Sequence, residues 1–369
     1  MKLAIVTDEL TQQPEEAVRA GLAMGLRHYE LRTVLGRRVP DDAAQLTPML
    51  AELKSRYNLA YTALSPGLFK CEPDAMTLEA QLRDRLEASI AMAQELEIGT
   101  IVCFAAVDFE THRPAELRAA VLPYLRRAAE RLDECGMTLA VETEFMSGCE
   151  TAQDAAKLIA AVDSPAFKVN WDPANAWIAG ESPLTGYLSI RRHIAGIHVK
   201  DAFTTAWRGR NPFAVLGEGR LPWADILSAY LQDYPPGSAP APVLTLETHV
   251  EPLIACSERS ITRLRELLAG HGPLPGQTTG ARAEQAAPPA SGAVASDDTA
   301  AGDVAAACRE GAAARADGDG NDASPARSAD RATGAASPAR IERPDRAAAD
   351  ALDVSPDAAR GSNARRYDQ

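Results

Sequence analysis

The chain has 369 residues, with 51 acidic and 38 basic side chains giving a net charge of −13. That balance lacks the cationic footprint a phosphate backbone demands, so no nucleic-acid partner is expected. The opening MKLAIVTDEL turns acidic too soon for a signal peptide, and no run of about eighteen apolar residues occurs, so the expectation is a cytoplasmic protein without a membrane partner.

Composition breaks near Gly270. From His271 onward the chain is mainly Ala, Asp, Arg, Gly, Pro and Ser, with Tyr367 its only aromatic residue. Such a stretch cannot bury enough apolar surface to offset chain entropy, so 271–369 is expected to be a disordered tail and 1–270 the folded body. The six cysteines (Cys71, Cys103, Cys135, Cys149, Cys256 and Cys308) form no CxxC pair and read as small buried hydrophobes of a reducing compartment.

Along the body, strand and helix patterns alternate at the spacing of βα modules. LAIVT opens the first strand, and Pro14 with Glu15 and Glu16 starts a helix to Leu26, proline in the first turn and acids on the dipole. HYELRT is the second strand; the helix after Asp41 and Asp42 shows Leu46, Met49, Leu50 and Leu53 on one face. LAYTAL is the third, closed by the breaker Ser65, Pro66, Gly67, and one long helix then carries Leu78, Leu82, Leu86, Ile90 and Ala93. TIVCFA is the fourth strand, with a helix from Pro114 to about Cys135, and MTLAVE the fifth, followed by a helix over Thr151 to Val162. FKVNWD is the sixth strand, with a weakly patterned helix between Pro183 and His193; GIHV is the seventh, before a helix over Pro222 to Leu231; PVLTLE is the eighth, before a helix over Pro252 to Leu268. Eight such units close a parallel (β/α)8 barrel, whereas a doubly wound open sheet needs fewer strands.

Four residues at the carboxyl ends of the last four strands can ligate a metal: Glu142 in LAVETE, Asp172 in KVNWDPAN, His198 in GIHVKD and Glu247 in VLTLETH. A single acid after an apolar run is ordinarily a helix cap or a solvated loop charge. Four in succession are different, because each would be costly to bury without compensation. Three hard carboxylates and an imidazole suit one divalent ion, Mn²⁺ or Mg²⁺ first and Co²⁺ or Zn²⁺ as alternatives. Glu144 lies on the same side of the pleat as Glu142 but already in the loop, so Glu142 is preferred.

The segments ELEIGTIVCF, LAVETE, NWDPAN, GIHVKD, LGEGRLPW and LTLETH, in this order, resemble the sugar isomerase/epimerase superfamily of xylose isomerase-like barrels. That group includes hydroxypyruvate isomerases, ketose epimerases, inosose dehydratases and an AP endonuclease branch, and the resemblance runs from Leu3 to about Gly270. It implies a metal-dependent isomerase or epimerase of a small sugar, sugar phosphate or polyol-derived keto compound, working through a metal-stabilised enediolate. Glu142 and Glu247 would move protons on opposite faces, and Lys200 would steady an enolate oxygen or carry a proton. Glu30, Asn175, Glu218 of the Gly-x-Gly turn and His249 are candidate substrate contacts, while Trp171, Trp177, Phe203 and Trp207 are candidates to exclude water. The alternative for Lys200 is an ion pair at the rim with Asp201 or another acid, and Asp201 itself does not read as a reactant. Relatives that pair through barrel helices make a homo-oligomer an expectation.

Three other functions compete. A dehydratase needs only a leaving group one carbon further on. An AP endonuclease-like phosphodiesterase needs more histidines at the mouth, and Asn175 stands where that branch has the histidine of Asp-x-x-His. A non-catalytic barrel would show a broken ligand set, and here all four are present.

Overall fold

The computed structural model describes residues 1–108, 111, 113–205, 211–235 and 241–270. The expected tail, Cys308 and Trp207 lie outside the described residues.

Eight parallel strands close a barrel: β1 (Leu3–Val6), β2 (His28–Leu31), β3 (Ala60–Leu68), β4 (Thr100–Cys103), β5 (Thr138–Glu142), β6 (Phe167–Trp171), β7 (Ile194–Val199) and β8 (Val243–Leu246). Each pairs with its sequence neighbours, and Leu3↔Leu244 to Ile5↔Leu246 join first to last. Because helices cover the outside and side chains fill the inside, strands such as TLAVE and VLTL are buried on both faces and read as near-continuous apolar runs. Alternation then decides function. Leu139 and Val141, Val169 and Trp171, Ile197 and Val199, and Leu244 and Leu246 share one side of the pleat and build the core, while the intervening positions place Glu142, Asn170, His198 and Thr245 on the other.

The outer layer follows the expected order: α1 (Pro14–Ala23), α2 (Ala43–Tyr57), α3 (Ala75–Ala80), α4 (Glu87–Glu95), α5 (Pro114–Glu134), α6 (Ala152–Val162), α7 (Pro173–Ile178), α8 (Pro183–Ile190), α9 (Trp223–Asp233) and α10 (Leu253–Ala269). Thr151 caps α6 by accepting from Asp154 N at 3.1 Å.

Three expectations are corrected. Strand β3 runs through Ser65, Pro66 and Gly67 rather than stopping there; the register to β4 shifts between Leu64 and Leu68, and Gly67 sits at φ +69°, so an irregularity absorbs the missing N–H and the turn residue. The long helix after β3 is broken by a π-helical segment, Gln81–Leu86, between α3 and α4, although Leu78, Leu82, Leu86, Ile90 and Ala93 are all buried as the pattern requires. Helix α7 was not expected, yet Asp172 caps it and Pro173 is its first residue. Two short antiparallel hairpins rise after β2 (Thr33–Val34 with Arg37–Arg38) and after β7 (Asp201–Ala202 with Phe213–Ala214). No helix among the described residues is long and apolar enough to cross a membrane.

Candidate metal centre

Glu142 ends β5, Asp172 follows β6, His198 is the fifth residue of β7 and Glu247 follows β8. One ligand atom from each lies within 4.8 Å of the other three, and all four residues are buried, Asp172 completely. Burying three carboxylates together with nothing between them would be prohibitively costly, so the cluster requires cations.

Asp172 and His198 are held in orientation from behind. Asp172 Oδ1 accepts from Ala174 N and Asn175 N at 2.9 Å each, which leaves Oδ2 facing the cluster. Thr143 staples the two strand ends together: its hydroxyl donates to Asp172 O at 3.0 Å and accepts from Asp172 N at 2.8 Å. His198 Nε2 is 3.2 Å from both oxygens of Glu30, whose Oε1 also accepts from Ser65 Oγ at 2.6 Å, and Asn170 Nδ2 lies 3.0 Å from the same ring nitrogen. A carboxylate behind Nε2 fixes the tautomer that turns the Nδ1 lone pair inward, an arrangement common behind metal-bound histidines. Among the described residues, five buried side-chain polar atoms lack a directed hydrogen bond, and three of them are Asp172 Oδ2, His198 Nδ1 and Glu247 Oε2. These are the atoms that face one another, so the donor set fits a hard divalent ion.

Protein cations also reach the cluster. Lys200 Nζ stands 2.7 Å from Asp172 Oδ2 and 2.8 Å from Glu247 Oε2, close enough for charge pairing without hydrogen-bond alignment, and 4.6 Å from the centre of the Phe213 ring. Burial disfavours its charge, but Asp172, Glu247 and Glu142 outweigh burial and keep the ammonium protonated. His198 Nδ1 lies 3.4 Å from Glu142 Oε1 and 3.1 Å from Glu247 Oε2; burial again opposes, and the charges of Glu247, Glu142 and Glu30 push its pKa well up. A metal ion between these acids would take over that role and leave the imidazole neutral.

Glu247 is the most heavily compensated of the four. Its Oε1 meets the guanidinium of Arg32 and His249 Nε2 at 3.3 Å, while its Oε2 meets Lys200 and His198. Burial raises its pKa, yet Lys200, His198 and His249 hold it well below the usual carboxylate range. Glu142 differs: beyond His198, its only side-chain hydrogen bond among the described residues is from Asn170 Nδ2 to Oε2, at 3.4 Å.

A second trio, Glu9, Glu247 and His249, also comes within 4.8 Å. Arg32 fills it, with Nη2 2.9 Å from Glu9 Oε1, Nη1 on Glu247 Oε1 and Nε 3.0 Å from Asp8 Oδ2. Glu9 Oε2 accepts from Thr248 N, Thr248 Oγ1 and His249 N at 2.8–2.9 Å, clamping the segment after β8. Neither Glu9 nor Arg32 was expected here. Each carries a signal used elsewhere, an acid soon after the apolar run of LAIVTDEL and a charge at the end of HYELRT.

The remaining candidates fall on different places. Lys200 and His249 join the cluster, and Glu30 stands behind His198. Asn175 donates from Nδ2 to Thr143 O at 3.1 Å and so braces the two strand ends. Glu144 pairs with Lys70 at 3.0 Å, leaving Glu142 at the centre. Glu218 is not brought to the centre; its half-exposed carboxylate takes Arg259 of α10. In its Gly-x-Gly turn the anchoring acid is Asp201, whose Oδ2 accepts from Gly217 N at 2.9 Å and Gly219 N at 3.2 Å, and whose Oδ1 accepts from Leu221 N at 3.1 Å. Asp201 is therefore occupied by the turn, not by Lys200. Trp171 points into the helix layer, its ring centre 5.7 Å from that of Tyr187, while Trp177 is half-buried and Phe203 exposed.

Comparison with known proteins agrees with this architecture. The family model described as the xylose isomerase-like TIM barrel matches residues 18–269. No curated protein matches the chain. Among solved structures, the IOLI protein with a bound zinc atom superposes with a TM-score of 0.62 at 14% identity, covering 74% of this chain and 99% of that one. The probable 3-DHS dehydratase AsbF of Bacillus anthracis, involved in petrobactin synthesis, gives 0.59 at 18% identity, covering 72% and 99%. An L-ribulose 3-epimerase gives 0.59 at 16% identity, covering 73% and 96%. At these identities the likeness is one of fold.

Proposed function

The chain belongs to the xylose isomerase-like TIM-barrel family, and we propose that it is a divalent-metal-dependent isomerase or epimerase of a small polyhydroxy carbonyl compound. The observation that carries this reading is the convergence of three buried, inward-facing atoms that charge neighbours approach but no aligned hydrogen bond claims, Asp172 Oδ2, His198 Nδ1 and Glu247 Oε2, with Glu142 completing the ring. The zinc in the structurally similar IOLI protein, and the epimerase and dehydratase among the neighbours, support it.

Held by these four residues, the ion would polarise the carbonyl of a chelating α-hydroxy carbonyl compound and make the neighbouring C–H acidic. The other steps belong to the chain. Glu142, whose Oε2 has only a weak contact from Asn170, is the group free to take that proton and return it to the adjacent carbon. Lys200, kept as ammonium by its acidic neighbours, donates a hydrogen bond to the oxygen on which charge develops. Arg32 and His249 hold Glu247 ionised and turned toward the ion.

Because both oxygens of Glu247 are engaged, proton transfer on one face is favoured over a two-base exchange across both faces. That favours isomerisation and keeps dehydration as the second reading, since the same proton removal expels a leaving group one carbon away. Incubating the Mn²⁺-loaded protein, followed by chelation, with a panel of aldoses, ketoses and inososes in D₂O and reading products by NMR tests all three. Deuterium beside a carbonyl with a shifted carbonyl marks isomerisation, deuterium with inversion marks epimerisation, and loss of water marks the lyase. No exchange into any polyhydroxy carbonyl compound would reject the proposal.

A further inference from the structure

Arg38 is set apart from the other arginines around the hairpin after β2. Arg32 binds Asp8, Glu9 and Glu247; Arg37 pairs with Asp42 at 2.7 Å; and Arg85 pairs with Asp41 at 3.0 Å. Arg38 forms no ion pair among the described residues. It is partly buried, and its Nε donates to Ser65 O at 2.8 Å, so the guanidinium is tethered from its inner edge while both terminal nitrogens have no protein acceptor among the described residues. The tether continues toward the metal centre: Ser65 Oγ donates to Glu30, and Glu30 backs His198. Gly67, at φ +69°, lies under the same guanidinium, and a Cβ built there would be 3.6 Å from Nε and 3.8 Å from Nη2. The guanidinium is thus tethered along one edge, passes close to a residue without a side chain, and leaves its bidentate edge unclaimed among the described residues.

We infer that Arg38 binds an anionic group of the substrate, a carboxylate or phosphate, at the end remote from the chelated hydroxy carbonyl. The inference rests on the metal-chelating reading of the mouth given above and adds the substrate's charge to it. A guanidinium presents two parallel N–H donors matched to planar oxyanions, and a neutral sugar hydroxyl would leave most of that capacity unused. Burial, reinforced by the like charge of Arg32, pulls the guanidinium down to about 10, and the acids that oppose this most are engaged elsewhere, Asp8 with Arg32 and Glu142 and Glu247 at the centre. A substrate anion would supply the missing charge.

Four probes separate the possibilities: 5-hydroxy-4-oxopentanoate against neutral 1-hydroxy-2-pentanone, and dihydroxyacetone phosphate against dihydroxyacetone. Their affinities are measured by ligand-observed NMR on the Mg²⁺-loaded full chain and on its Arg38→Gln and Arg38→Lys variants, with Mg²⁺ affinity determined on the same samples. The wild type is expected to bind one charged probe about tenfold or more tightly than its neutral counterpart, the arm that responds telling carboxylate from phosphate. Arg38→Gln should erase that preference while leaving Mg²⁺ and the neutral probes unchanged, and Arg38→Lys should keep part of it. No charge preference in the wild type, or a preference that survives Arg38→Gln, would overturn the inference. Should Arg38→Gln fail to fold, a preference undiminished in Arg38→Lys would overturn it equally, because a point charge cannot reproduce the bidentate edge. Absence of Mg²⁺ binding would instead reject the metal reading, and the charge preference would still decide the role of Arg38.

Discussion

Glu142 and Glu247 bring the same carboxylate to the same buried cluster, and what surrounds their second oxygens sets them apart. Arg32 and His249 hold that oxygen of Glu247, whereas Glu142 offers Oε2 with only the 3.4 Å contact from Asn170. Glu142→Gln, which keeps the shape and removes the base, should cut turnover about 10²- to 10⁴-fold while a metal titration still finds a bound ion. His249 carries a pH dependence at the same scale. Burial opposes its charged form, but Glu9 and Glu247 win and raise its pKa above the ordinary 6.5. The folded state therefore holds this proton more tightly than the unfolded one, so the stabilisation is complete below pH 6.5 and is lost as pH rises through the raised value. Denaturant midpoints of the wild type and His249→Gln should differ most below pH 6.5 and converge as pH rises; a difference that grows with pH would contradict this.

Within elements, the loop after β7 shows how a backbone is held around one carboxylate. Gly219 packs so tightly on Asp201 that an added Cβ would sit 2.1 Å from Oδ1 and 2.7 Å from Ala202 O. Gly219→Ala should cost about 1–3 kcal/mol in chemical denaturation, since the clash includes backbone as well as side chain. All eight strands and most of the helices were legible because apolar period and helix-start residues agree locally. What was not legible has a physical cause in each case. Pro66 and Gly67 read as a stop because a local pattern cannot show that an irregular register to β4 accommodates them. Helix α7 was missed because Asp172 serves twice: one oxygen caps the helix and the other faces the centre, and reading the residue as a ligand hid its capping role. That Glu142, Asp172, His198 and Glu247 come together was readable from their strand-end positions. Arg32 and Glu9 were not singled out, because their importance comes from pairing across the barrel between β1, β2 and β8, which no local spacing encodes. Glu218 was singled out and lies elsewhere, because the turn it belongs to closes on Asp201 and sends the intervening side chain outward to Arg259.

For the molecule as a whole, closure of the barrel converts four residues spread from position 142 to 247 into one buried cluster. The four clustered residues and the side chains that brace them come from the barrel strands and the loops after them, and a chain truncated after Gly270 should keep the wild type's melting temperature and metal stoichiometry; loss of either would assign residues 271–369 a structural role. Metal binding itself is the claim on which the functional reading depends. Titrating the metal-stripped full chain with Mn²⁺, and counting free ion by electron paramagnetic resonance, tests it most directly. The account predicts one tightly held ion per chain, with affinity falling at least about tenfold in Asp172→Asn and again in His198→Gln. A wild type that leaves Mn²⁺ free, or binding that neither substitution weakens, would contradict it.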